Sequence, residues 1–130
     1  MNIRSLQRGL RYCGRVDAVR QTYHVFESPS YFFVLSFARS RSRRSSGYFN
    51  LVSKSAVDYI HARLGGSRRV TARDVVTAAR RTRHIPTSLF ALNVLYVLVA
   101  LKWATITRAG EHHQLFFAVR KGRRTQPLRA

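Results

Sequence analysis

The apolar residues of this chain recur at helical spacing between Val70 and Lys102, in two runs with a break between them. The stretch reads VTARDVVTAARRTRHIPTSLFALNVLYVLVALK. Thr71 is a good N-cap, and Asp74 falls in the first turn, where a carboxylate favours the positive helix end. Val75, Val76, Ala78 and Ala79 give this first helix a small apolar face. At Ile85-Pro86 the pattern breaks. A residue before proline is pushed out of the helical region, so the helix stops by about His84. Pro86 suits the start of a second helix, where a missing N–H costs nothing. That helix runs from about 87 to 102 and is the most apolar segment of the chain.

The flanks change period. Tyr31 to Phe37 (YFFVLSF) and Tyr48 to Val52 (YFNLV) read as strands from their β-branched and aromatic content. The polar stretch between them, Ala38 to Gly47, makes the pair an antiparallel hairpin over 31–52. A helix follows in AVDYIHARL, with Ser55 and Asp58 in a capping arrangement and Val57, Ile60 and Leu64 on one face. Gly65-Gly66 ends it, and Arg68-Arg69-Val70 is a short extended link. After the apolar helix, Trp103 to Arg108 and Gln114 to Arg120 read as two strands around a turn at Ala109 to His113. In the second, Leu115, Phe117 and Val119 alternate with Gln114, Phe116 and Ala118, as a sheet with one buried face requires.

Composition adds the charge. Lys and Arg total 24 against five acids, a formal net charge of +19, and Lys54, Lys102 and Lys121 are the only lysines. Such an imbalance repels itself unless a polyanion neutralises it. Nucleic acid is the first partner to consider, because each phosphate contact releases counterions. Anionic membrane surface is second. Arginine in place of lysine suits bidentate phosphate contacts. The hairpin loop carries Arg39, Arg41, Arg43 and Arg44 among serines whose phosphorylation would cancel that charge.

Residues 1–27 carry Arg4, Arg8, Arg11 and Arg15 at helical spacing and read as a basic arm or, alternatively, a transit peptide. Residues 122–130 read as a basic tail. The single cysteine, Cys13, excludes an internal disulfide and paired-cysteine zinc modules, and suggests an intracellular, cytoplasmic or nucleoid-associated setting. The apolar run Leu89 to Leu101 is short of the roughly 20 residues a membrane span needs, so no span is expected.

Helix, short extended link, helix, turn, helix, strand, turn, strand resembles a winged helix-turn-helix. The resemblance covers about Ser53 to Lys121 and rests on element order. It implies an α+β fold, with the hairpin added in front and joined to the wing strands, so that residues 28–121 form one domain. It further implies a duplex-DNA binder, a transcription regulator or architectural protein, whose third helix enters the major groove. Carried over by position, the groove-facing residues are Thr87, Ser88, Ala91 and Asn93. The wing residues are Arg108, His112 and His113. Arg80, Arg81 and Arg83 would lie over phosphates, with the hairpin arginines and with Lys121, Arg123 and Arg124 of the tail.

The third helix offers few side chains able to reach base edges, which calls for backbone recognition by the arginines. An apolar surface on every side of that helix has to be covered, either by the N-terminal hairpin and arm or by a second copy in a homodimer. Two other function classes therefore stand beside the DNA binder. One is a structural RNA-binding protein of a ribosome or other ribonucleoprotein, which would explain arginines at both ends. There Tyr31, Phe32, Phe33, Phe37, Tyr48 and Phe49, clustered on the hairpin, could stack on unpaired bases, although such aromatics more often form core. The other is an interaction module dimerising through residues 87–102. Five acids leave little for acid–base catalysis, and no cofactor is implied. Glu111, His112 and His113 are adjacent on a turn and converge poorly on a metal.

Overall fold

The computed structural model describes residues 9–18, 21–38, 47–79, 87–109 and 114–122. It is α+β. Strands β1 (Arg11–Asp17), β2 (Gln21–Glu27), β3 (Tyr31–Ala38) and β4 (Gly47–Ser53) come first. Helices α1 (Lys54–Leu64), α2 (Ala72–Ala78) and α3 (Ser88–Ala100) follow, and then strands β5 (Ala104–Ala109) and β6 (Gln114–Val119). The first four strands form an antiparallel sheet in chain order, and β5 and β6 form a separate two-stranded sheet.

Arg11–Asp17 and Gln21–Glu27 are thus sheet and not a basic arm. The arginine spacing suggested a helical stripe, yet Arg11 and Arg15 stand on a strand whose inward residue, Val16, is buried. Thr22, Tyr23, Val25 and Phe26 are the strand formers of β2. Turn chemistry closes the meander between β2 and β3. The Ser28 N–H donates to the Tyr31 carbonyl at 2.8 Å, and the Tyr31 N–H donates back to Ser28 Oγ at 3.1 Å. The hairpin at 31–52 pairs as expected, from Tyr31 opposite Ser53 to Phe37 opposite Gly47. It is joined to β2 and not to the wing strands.

On β3, Phe32, Val34 and Ser36 are buried while Phe33 and Leu35 on the other face are half-buried. Val16, Val25 and Val52 share the buried face with them. Against that face lies α3. It touches all four strands on one side and α1, α2 and β5 on the other. This is why the helix has no polar face. Val94, Leu95, Val97 and Leu98 have no exposed surface, and Tyr96 stacks on Tyr23 of β2 while meeting Phe117 of β6 edge-on. Where β1 crosses the end of α3, a Cβ on Gly14 would lie 3.2 Å from the Ala100 carbonyl oxygen, so glycine permits the close approach.

The helix ends are set by local chemistry. Ser53, not Ser55, caps α1, its Oγ accepting from the Ala56 N–H at 3.2 Å. Thr71 and Asp74 complete a reciprocal capping box on α2, which ends at Ala78. Thr87 Oγ1 accepts from the Phe90 N–H at 3.1 Å and caps α3. After α1, Gly66 takes a φ of 92°, a left-handed value that glycine adopts freely, and donates to the Val119 carbonyl at 2.8 Å. The link then runs antiparallel to β6: Val119 donates to Ser67, and Val70 and Phe117 exchange two bonds of 2.8 Å each.

One ion-pair cluster joins the sheet to α1. Lys54 Nζ lies 3.0 Å from Glu27 Oε2, and Arg11 Nε donates to Glu27 Oε1 at 2.8 Å. Burial works to raise the Glu27 carboxyl, but the hydrogen bonds from Lys54 and Arg11 outweigh it and hold the group below its ordinary value. A depressed carboxylate stabilises the fold above its unfolded value, and that contribution is lost as pH falls through the folded one. We therefore expect urea midpoints to fall as pH drops below 4.5, the ordinary value for this group. In Glu27→Gln this acid-side slope should flatten. At neutral pH the same variant should be less stable by about 3 kcal/mol, because Lys54 keeps its charge in a nearly buried position. Equal acid-side slopes in the two proteins would remove Glu27 as the titrating group.

Candidate nucleic-acid interface

The half of the chain from α1 onward gathers basic side chains at the base of the β5–β6 hairpin. Arg68 and Arg69 are exposed in the link beside β6, and the Arg69 guanidinium sits 4.3 Å over the Phe116 ring. Arg120 Nη1 donates to the Lys102 carbonyl at 3.1 Å, which holds two cationic residues side by side. Lys121 packs against Gly66. Beneath them His61 is buried, its Nε2 donating to the Arg120 carbonyl at 3.1 Å and its ring 4.6 Å from Trp103. Phe116 and the paired carbonyls orient these cations, while their charged ends remain at the surface. Only Lys121 of this group was singled out as a contact from the sequence. The consecutive pair Arg68-Arg69 was the available signal for the rest.

Lys102 has a second feature. Trp103 N–H donates to Leu98 and Lys102 N–H to Val99, the 6→1 and 5→2 bonds that close a helix C-terminus with a left-handed residue. Lys102 is that residue, with φ 68°, and it is the one non-glycine residue at positive φ among the described residues. Glycine is the usual occupant, since a Cβ costs energy in this region.

The other candidates divide. Thr87 is exposed at the start of α3, but its hydroxyl is already engaged as the cap, and Ser88 is the first residue of the helix. Ala91 and Asn93, expected to face a groove, have 0% and 1% of their surface exposed. Both are buried in the core, and so is most of the surface proposed for a homodimer along 87–102, enclosed between the four-stranded sheet and α1, α2 and β5. Leu89 is the one largely exposed apolar side chain of α3. Arg108 stands on β5 opposite Leu115. Arg39, Arg41, Arg43, Arg44, Arg80, Arg81, Arg83, His112, His113, Arg123 and Arg124 lie outside the described residues. Among the described residues no three metal-ligating side chains gather, and no helix is long and apolar enough to cross a membrane.

Two further features lie on the four-stranded sheet. Its outer face exposes Tyr12, Tyr31, Phe49 and Leu51, with Phe33 and Phe49 in contact at 5.1 Å between ring centroids. Its inner face, near the start of α3, borders a cavity of about 380 Å³ lined by Gln21, Tyr23, Ser36, Asn50, Asn93 and Tyr96, with Phe49 and Leu89 also present. Asn93 Nδ2 donates to the Leu89 carbonyl at 2.9 Å, while its buried Oδ1 has no hydrogen-bond partner among the described residues. Leaving such an acceptor unmatched costs about 1–3 kcal/mol. Burial and the neighbouring Tyr23 push the Tyr96 phenol above its ordinary range, so it stays neutral.

Compared with known proteins, the chain has no significant match to a family model, a curated protein or a solved structure.

The geometry at Lys102 sets stability against charge. Lys102→Gly should raise the urea midpoint, by about 0.5 kcal/mol once glycine's larger entropy loss is subtracted. It should also weaken polyanion binding by removing one contact. A loss of stability would show that the lysine stem contributes more packing than its backbone conformation costs.

Proposed function

We propose that this chain binds nucleic acid mainly through arginine–phosphate contacts, on a winged-helix scaffold. The observation that carries the reading is the imbalance of charge. Of five acids, the four described ones are each engaged within the chain, while the net charge is +19. Five carboxylates cannot neutralise 24 basic side chains, and phosphate is the chemistry that answers the excess. The element order supports the scaffold, with the link at Val70 bridged to β6 beside β5.

Duplex DNA is then held by its backbone. The body of α3 is enclosed, so only its first turn and the basic base of the wing present themselves to a groove. The same burial favours a second reading, a structural RNA component. RNA is recognised largely by shape, phosphates and unstacked bases, and the exposed Tyr31 and Phe49 are available for stacking.

A competition assay at near-physiological salt decides between them. Duplex DNA displacing a labelled duplex best supports the first reading, and structured RNA doing so supports the second. Replacing Arg41, Arg43 and Arg44 together with alanine should weaken binding uniformly across sequences and reduce the salt slope by about 2–3. An unchanged slope would remove the β3–β4 connection from the contact surface.

A further inference from the structure

We propose that the cavity between the inner sheet face and the start of α3 is a pocket for one neutral nucleobase. The orphan Asn93 Oδ1 is the starting point. It belongs to a side chain, 1% exposed, that lines a cavity of about 380 Å³, and it has no hydrogen-bond partner among the described residues. That volume falls in the range of small-molecule sites, about 300–1,000 Å³. An acceptor held ready at such a cost is satisfied when a ligand brings an N–H or O–H to it.

The lining chooses the ligand. Gln21, Asn50 and Asn93 carry amides, each with a donor and an acceptor, and Tyr23 and Tyr96 add stacked rings with phenol groups. Among the described residues no charged side chain lines the cavity. A phosphate, a carboxylate or a metal ion would enter without a counter-charge, which burial penalises. A planar heterocycle with alternating donors and acceptors matches both the amides and the rings. The charged part of such a ligand has to stay outside. Ser36 and Asn50 stand on β3 and β4, the two strands that the segment with Arg39, Arg41, Arg43 and Arg44 connects. The pocket rests on the nucleic-acid reading only for the source of the base.

The test compares labelled single strands that carry bases with an abasic strand of equal phosphate number, at one salt concentration. Wild-type protein should bind the base-bearing strand about tenfold more tightly, the scale of one stacked base. Asn93→Leu should bring that affinity down to the abasic level and leave abasic binding unchanged. Because it removes an unmatched acceptor, it should not lower the melting temperature. Asn50→Ala, at a half-buried position on an edge strand, tests the same pocket should Asn93→Leu fold poorly. Wild-type preference for bases in both variants overturns the proposal. Free nucleosides, followed through the Asn93 side-chain amide resonance, separate the sources. A response to nucleosides and strands, or to base-bearing strands alone, supports the pocket. A resonance indifferent to both overturns it. Should nucleosides bind while no strand does, the pocket stands and the phosphate-binding function falls.

Discussion

A helix that is apolar on every side has to be enclosed on every side, and the rest of this molecule is arranged to do so. The body of α3 has no exposed surface from Val94 to Leu95 or from Val97 to Leu98. The wing side alone does not cover it. The four-stranded sheet supplies the other wall, and Tyr96 touches both, stacked on Tyr23 and edge-on to Phe117. The two halves of the chain therefore share one core, and neither buries its apolar surface without the other.

That constraint also redirects function. In a winged helix bound to a duplex, the third helix is the part that reads. Here it is the part that holds the protein together, and its polar residue Asn93 is turned inward. Among the described residues the surface that a polyanion could reach is peripheral: the link beside β6, the base of the β5–β6 hairpin and the outer sheet face. These positions suit contacts with phosphates and unstacked bases, which tolerate many sequences.

The helices and the β5–β6 hairpin were legible in the sequence because their signals are local. Thr71 with Asp74, Thr87 ahead of an apolar run, and Gly65-Gly66 each mark a boundary through hydrogen bonds to near neighbours. The alternation around Phe117 marked β6 in the same way. Strands β1 and β2 were not legible, because arginines at helical spacing masked a strand whose inward positions are held by partners far along the chain. The cap of α1 was misplaced by two residues, since Ser53 and Ser55 are equivalent until the strand end is known. Asn93 was misassigned for a related reason. Helical position placed it on the groove side, and nothing local reveals a sheet packed over that side.

The sheet order leaves β4 at an edge, with Phe49 and Leu51 exposed along it. A bare edge of this kind invites strand addition from another copy. The segment entering β4 carries Arg39, Arg41, Arg43 and Arg44, so two such edges meet under strong mutual repulsion. Colloidal stability is thus tied to the same charge on which the proposed polyanion binding rests. Salt high enough to strip away a bound strand also screens one copy from the next.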